Sequence, residues 1–279
     1  MARPTAAMAL GAADLATHET WRYIDSGPLP GAQNMATDEA MLEAHLGGET
    51  PPTLRAYTWR PPAISLGRFQ QVETSVNVEE CRRAGIDVVR RPTGGRAILH
   101  TEEEVTFSIV VSEARLGTQG VMHSYRALAS AIVAGLKHLG LDARLVERSF
   151  PSGPSVSQDP ACFAAKARCD LVVGSSKVVG SAQVHRDGVI LQQNSLPLRI
   201  HVADWQRFFL RRSEAPAAVG VWEAVGAEVP YARVAQALRC GFEETLGIDL
   251  VDSELTAGES ARATRLAARA DLLRVDSLA

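Results

Sequence analysis

A cysteine, a lysine and a glycine turn flanked by arginines are the groups in this sequence whose types could carry chemistry. Cys162 lies in Asp159-Pro160-Ala161-Cys162-Phe163, between a proline-terminated loop and the next strand, where a thiol can be exposed. The same position also suits a small buried apolar residue, which is where most free cysteines sit. Lys177 follows in Ser175-Ser176-Lys177-Val178-Val179-Gly180-Ser181-Ala182-Gln183. Gly180, Ser181 and Ala182 carry little side chain, so this strand leaves room for a long ligand. A lone lysine there is equally compatible with an exposed strand end. Upstream, Arg90-Arg91-Pro92-Thr93-Gly94-Gly95-Arg96-Ala97-Ile98-Leu99-His100 places two glycines after a strand, where backbone can approach a ligand closely. The arginines offer fixed donors to an anion or a carbonyl, although a tight turn with solvated arginines has the same letters.

Together these three segments resemble the biotin/lipoate protein ligase family, and what that resemblance implies is acyl transfer. Moving an acyl group from a thioester to an amine needs no ATP, because a thioester is already activated. It needs a nucleophile, a stabiliser for the oxyanion and a route for the amine proton. A free thiol has a pKa of about 8.5, so a neighbouring cation that favours the thiolate raises its reactivity. Lys177 is the candidate cation, and its ammonium can donate to the developing oxyanion and then carry the proton of an incoming amine. Backbone N–H groups around Thr93-Gly94-Gly95 and Gly180-Ser181-Ala182 are further donors. A slot between those small residues would bury an acyl tail at about 0.8 kcal/mol per methylene.

The elements that must hold these groups read as strands with helices between them. Strands are expected at Trp21 to Ile24, Leu54 to Trp59 (ended by Pro61-Pro62), Ile86 to Val89, Ala97 to Leu99, Val105 to Val111 and Arg144 to Glu147. Asp170 to Val173, Lys177 to Val184 and Gly188 to Leu196 read as a hairpin and its continuation, with a Gly174-Ser175-Ser176 turn. Helices are expected from Gly31 to His45, from Asn77 to Gly85 with Glu80 completing a capping-box pattern, and from Ser124 to Leu139, stopped by Gly140. Ser149 to Pro160 is a loop. Val234, Leu238 and Phe242 share a helix face, and Ser260 to Leu273 is a final helix. The hairpins predict a mixed β-sheet flanked by helices, an α/β chain of the α+β type. Residues 1–20 read as a disordered leader, 21–250 as the catalytic domain and 251–279 as a helical C-terminal tail.

The bulk numbers agree with a soluble chain. Of 279 residues, 46% are hydrophobic and 22% charged, and the formal charge of -3 argues against nucleic acid as the main partner. No run approaches a membrane span. Cys81, Cys162, Cys169 and Cys240 form no C-x-x-C pair, so neither zinc nor a disulfide scaffold is implied and reduced thiols are expected. Arg82-Arg83, Arg90-Arg91 and Arg211-Arg212 are local basic pairs that read as solvated charge.

Taken together, the order and spacing of the three segments resemble the biotin/lipoate protein ligase family from about Trp21 to Leu196. Within it they are similar to the branch of lipoate-protein ligase A and the cysteine-dependent octanoyltransferases. Arg90 to His100 looks like the Arg-Arg-Pro-Thr-Gly-Gly-Arg-Ala signature, Ala161-Cys162-Phe163 the acyl-accepting cysteine, and Lys177 to Gln183 the Lys-x-x-Gly-Ser-Ala-Gln segment. Ligases usually carry Ser-Gly-Gly-Gly where Thr93-Gly94-Gly95-Arg96 stands. The chain departs from the family at Gln193-Asn194, where His-Gly is common, and at Ala164-Ala165-Lys166, where Pro-Ser is usual. The resemblance implies a catalytic Cys162 and Lys177. It implies substrate contacts from Arg91, Thr93, Gly94, Gly95, Arg96, His100, Gly180, Ser181, Ala182 and Gln183. It also implies a cytoplasmic octanoyltransferase with no cofactor or metal, whose donor is octanoyl acyl carrier protein. The acceptor would be a lipoyl domain or the glycine-cleavage H protein, with the basic pairs steering such acidic carriers. An ATP-dependent lipoate-protein ligase working through an acyl-adenylate, and a non-catalytic acyl- or cofactor-binding module, are the rival readings.

Overall fold

Trp21 and Tyr23 face one side of the first strand and Arg22 the other, which starts β1 (Glu19–Leu29); Pro30 then leads into α1 (Gly31–Leu46). The structure, a computed structural model, describes residues 18–117, 120–147, 169–210 and 218–269. Next come β2 (Thr53–Trp59), β3 (Ala63–Leu66), α2 (Val78–Ala84), β4 (Asp87–Arg90), β5 (Ile98–His100) and β6 (Glu104–Ser112). Then follow α3 (Val121–Lys137), β7 (Ala143–Glu147), β8 (Cys169–Val173), β9 (Ser176–Arg186) and β10 (Val189–Pro197). The described chain closes with α4 (Val202–Phe208), α5 (Val221–Val225), α6 (Tyr231–Leu246), β11 (Ile248–Asp252) and α7 (Ala257–Arg269).

Eight strands form one sheet in the order β11-β1-β2-β6-β10-β9-β8-β7, and three form a second in the order β4-β3-β5. β1 runs parallel to both its neighbours, while the pairings from β2 to β7 are antiparallel, so the sheet is mixed as expected. The β9–β10 hairpin turns at Asp187 (φ 49°) and Gly188 (φ 78°), two consecutive left-handed residues that match the right-handed twist of the strands. Asn77 caps α2 by accepting from the Glu80 N–H at 3.2 Å, and Gly85 closes it at φ 68°.

One face of the large sheet buries Trp21, Phe107 and Val179 against Leu128, Ile132 and Leu136 of α3 and Val234, Leu238 and Phe242 of α6. Alternation sends Ile24, Val110 and Leu191 to the other face, under Met41 and Leu42 of α1. α3 and α6 touch backbone to backbone: a Cβ on Gly241 would lie 2.2 Å from Gly135 N, and one on Gly135 2.9 Å from Leu238 Cα. The small sheet packs Ile64, Leu66 and Ile98 against Trp205 and Phe208 of α4.

β3, α4, α5 and β11 have no counterpart in the sequence reading, and α3 begins earlier, at Val121. α7 begins at Ala257 and not Ser260, because Thr256 and Glu259 form a reciprocal cap: the Glu259 N–H donates to Thr256 Oγ1 at 3.1 Å and the Thr256 N–H to Glu259 Oε2 at 2.7 Å. Glu259 also accepts from Arg22 of β1 at 2.9 and 2.6 Å, which fastens α7 over the first strand and against α1. Burial alone would raise the Glu259 carboxyl, but the Arg22 and Thr256 hydrogen bonds outweigh it and hold it below the ordinary carboxylate value. Among the described residues no helix is long and apolar enough to cross a membrane.

Candidate active site

The glycine turn after β4 is built around a buried arginine. Arg91 donates from Nε to Thr93 Oγ1 (3.1 Å) and from Nη1 to the Ser65 carbonyl (2.9 Å) and hydroxyl (3.1 Å). Its Nη2 donates to the carbonyls of Gly94 and Arg96, both at 2.7 Å. These bonds occupy all five guanidinium N–H groups, so Arg91 gathers the turn around itself. Arg90, its neighbour in sequence, points the other way and donates to the carbonyls of Gly67, Arg68 and Gln70. The two loops meet glycine to glycine, since a Cβ on Gly67 would stand 2.0 Å from the Gly95 carbonyl oxygen.

Beside this turn lies a narrow cavity whose empty space, with its open mouth, is about 370 Å³. Arg91, Gly95, His100, Ser181 and Ala182, all singled out in the sequence, line it together with Met35, Tyr57, Trp59 and Ile98. Its walls are mostly apolar carbon, which suits an acyl chain. Gly180 sits one residue before Ser181 on β9, paired with Ser195 of β10. Gln183 lies further along β9 and bonds to Gln192, Ser124 and His185.

His100 is held rigidly. Its ring stacks on Trp59 at 4.0 Å and 12°, Nδ1 lies 2.9 Å from Glu104 Oε1, and Nε2 lies 2.7 Å from Ser65 Oγ. A carboxylate only accepts, so the network assigns the ring proton to Nδ1 and lets Nε2 accept from the Ser65 hydroxyl. That hydroxyl in turn accepts from Arg91. Glu104 also takes the Thr106 hydroxyl, and Thr106 accepts Trp59 Nε1–H at 2.7 Å.

Asp38 of α1 was not apparent from the sequence. It is fully buried and accepts four bonds: Oδ1 from Arg55 and Ser108, both at 2.7 Å, and Oδ2 from Tyr57 (2.8 Å) and Gln193 (2.7 Å). Gln193, present in the sequence only as a departure from a family pattern, accepts from Thr93 Oγ1 at 2.8 Å. Arg55, Asp38, Gln193, Thr93, Arg91, Ser65, His100 and Glu104 therefore form one continuous buried network under the turn and cavity. The signal for it was present as charged residues at inward positions of apolar segments, Arg55 within β2 above all.

Lys177 is not among the residues lining this cavity. It lies toward the β8 end of β9, where Nζ stands 3.0 Å from Asp170 Oδ1 with both side chains buried. The Val219 N–H donates to the Lys177 carbonyl at 2.9 Å and pins the backbone there. Asp170 is the second residue that sequence reasoning missed; a lysine that is buried must find a counter-charge, and the facing strand supplies it. Tyr125 of α3 is close by: burial pushes its hydroxyl up to about 12, against the opposing effect of the Lys177 charge. Cys162 lies outside the described residues. Of the other thiols, Cys81 is buried and pushed up to about 12 by that burial, and Cys169 is raised by burial and the Glu147 carboxylate. Both are poor nucleophiles. Among the described residues no group of three or more His, Cys, Asp or Glu side chains is arranged to hold a metal ion.

Residues 30–243 match the lipoyl protein ligase A/B catalytic domain, and the chain belongs to that family. Its relatives include octanoyltransferase LipM of Kyrpidia tusciae, 42% identical over 267 residues that cover 90% of this chain and 96% of the relative. Octanoyltransferase LipM of Bacillus subtilis is 36% identical over 255 residues, covering 86% and 91%. Among solved structures, the putative lipoate protein ligase Ta0514 of T. acidophilum with bound lipoic acid superposes with a TM-score of 0.72 at 26% identity, over 91% of this chain and 96% of that one.

Proposed function

We propose that this chain is an octanoyltransferase of lipoate assembly that carries the acyl group on Cys162. The observation that carries the reading is the near-full-length similarity to relatives named octanoyltransferase, at 36% to 42% identity. The buried, poorly ionising Cys81 and Cys169 support the choice of Cys162 as the nucleophile.

In the first step the Cys162 thiolate attacks the thioester carbonyl of octanoyl acyl carrier protein. The new S–acyl bond forms as the carrier's thiol leaves with its electron pair. In the second, the amine of a lysine on a lipoyl domain or on the glycine-cleavage H protein attacks that thioester. The amide forms, Cys162 departs as thiolate and the amine loses its proton. The apolar cavity beside the glycine turn takes the octanoyl chain. Lys177, held by Asp170, supplies a cation for the oxyanion and a carrier for the proton.

Incubation with octanoyl acyl carrier protein is expected to add one octanoyl mass, removable by hydroxylamine. Cys162→Ser abolishes that adduct, while Cys81→Ser, Cys169→Ser and Cys240→Ser keep it. A thioester that survives in Cys162→Ser overturns the assignment. Acylation of an acceptor from free octanoate and ATP, without carrier protein, would replace transfer by ligation. Lys177→Ala removes an oxyanion donor, so turnover is expected to fall on the order of 100- to 1000-fold. Lys177→Arg keeps the charge opposite Asp170 but cannot give up a proton, so it too should largely fail. Turnover close to wild type would leave Lys177 outside the chemistry.

A further inference from the structure

We infer that Gln193 is a positioning residue, which sets the direction of the Gly95 N–H at the cavity wall through Thr93 and Arg91. The inference deepens the octanoyltransferase reading and rests on it for the reaction served, but the geometry stands independently. Asp38 fills all four of its acceptor sites with Arg55, Ser108, Tyr57 and Gln193, so the Gln193 group facing it must be the amide nitrogen. The Gln193 carbonyl oxygen therefore faces Thr93 and takes its hydroxyl proton, at 2.8 Å. With that proton directed to β10, a lone pair of Thr93 Oγ1 is left for Arg91 Nε, at 3.1 Å. Flipping the Gln193 amide would set oxygen against the Asp38 carboxylate and N–H against a hydroxyl that already accepts from Arg91.

The chain of polarity ends in the turn itself. Arg91 draws the Gly94 and Arg96 carbonyls to its Nη2, both at 2.7 Å. In a trans peptide the N–H points opposite to the C=O, so the Gly95 and Ala97 N–H groups are aimed away from the guanidinium. Gly95 holds φ 85° and lines the cavity, and an added Cβ there would meet Arg91 Nη2 at 2.9 Å. Gln193 lines the same cavity with its own side chain and approaches Met35 Sδ at 3.5 Å. One residue thus forms cavity wall and, through its bond to Thr93 and the Thr93–Arg91 bond, holds the peptide that carries the Gly95 N–H at the same cavity.

The test compares Gln193→Met, Thr93→Val, their double variant and Thr93→Ser in the full chain. Amide hydrogen exchange over residues 92–98 is read alongside steady-state transfer from octanoyl acyl carrier protein. Gln193→Met keeps the volume and loses both amide bonds. It is expected to speed exchange in the turn at least about tenfold and to lower kcat on the order of 10- to 100-fold, with KM for the donor changed less than kcat. Thr93→Val should reproduce both effects, the double variant should add nothing further, and Thr93→Ser, which restores the hydroxyl, should recover the slow exchange that Thr93→Val loses. Should the wild-type chain transfer no octanoyl group, the proposed activity falls and the exchange data alone decide the positioning role. Unchanged exchange in folded Gln193→Met, or effects that add in the double variant, would overturn the inference.

Discussion

Asp38 and Arg55 meet with both side chains fully buried, whereas Glu79 meets Arg82 and Arg83 on α2 with about half of each side chain in solvent. The contacts are alike in chemistry, and Asp38–Arg55 at 2.7 Å and Glu79–Arg82 at 2.8 Å are alike in distance; their surroundings separate them. Water and salt screen the α2 pairs and holding two long side chains costs entropy, so they contribute little. In the interior the charges have lost their hydration, and each remaining partner becomes indispensable to the others. Arg22–Glu259 lies between the two, buried but placed on the last described helix. The difference indicates where this chain fixes its geometry: in the network beneath the cavity and not in its many surface ion pairs.

The largest effect is expected at Asp38. Asp38→Ala takes the counter-charge from the buried Arg55 guanidinium and the acceptor from the Tyr57 hydroxyl and the Gln193 amide, and removal of one member of a buried pair costs about 3–5 kcal/mol. Urea unfolding measures it, and a loss below about 1 kcal/mol would mean that the network is dispensable to the fold. A smaller loss, about 1–3 kcal/mol, is expected for Glu259→Gln, which gives up the charged acceptor of Arg22. The wild-type Glu259 carboxyl titrates lower in the folded chain than in the unfolded one. Its contribution is therefore complete at neutral pH and is lost as the pH falls through the folded value. The stability gap between wild type and Glu259→Gln should accordingly narrow on acidification, and a constant gap would remove the charge from the account. The smallest effect belongs to Glu79→Ala, for which the melting temperature should stay at the wild-type value in low and high salt alike. A clear drop at low salt would erase the contrast between the two kinds of pair.

Much of the fold was readable where a local rule acts alone. Asn77 and Gly85 bracket α2, the Asp187-Gly188 turn closes a hairpin, and Leu128, Ile132 and Leu136 repeat at helical spacing. β3 was not readable, because its four residues are buried on both faces and so do not alternate. The Thr256–Glu259 cap was legible and went unread, which moved the start of the last helix. In the site, the glycine turn and the small residues of β9 announce themselves by composition. The groups that orient them do not. Asp38, Arg55 and Gln193 come from three distant segments and acquire meaning only when β10 lies beside the turn. Asp170 likewise gains its role from the pairing of β8 with β9.

The glycine contact between α3 and α6 carries a consequence for anyone redesigning this chain. Replacing helix glycines by alanine is an ordinary route to thermal robustness, since alanine is the better helix former by about 1 kcal/mol. Here that recipe reverses sign at both sites. A methyl group at position 241 would collide with the backbone of residue 135, at 2.2 Å, and no side-chain rotation relieves a backbone clash. The helices would have to part and the sheet behind them would lose its cover. Sequence drift is blocked in the same way: backbone of residues 131 and 135 stands against position 241 and backbone of residues 237 and 238 against position 135, so a change at one glycine makes no room at the other.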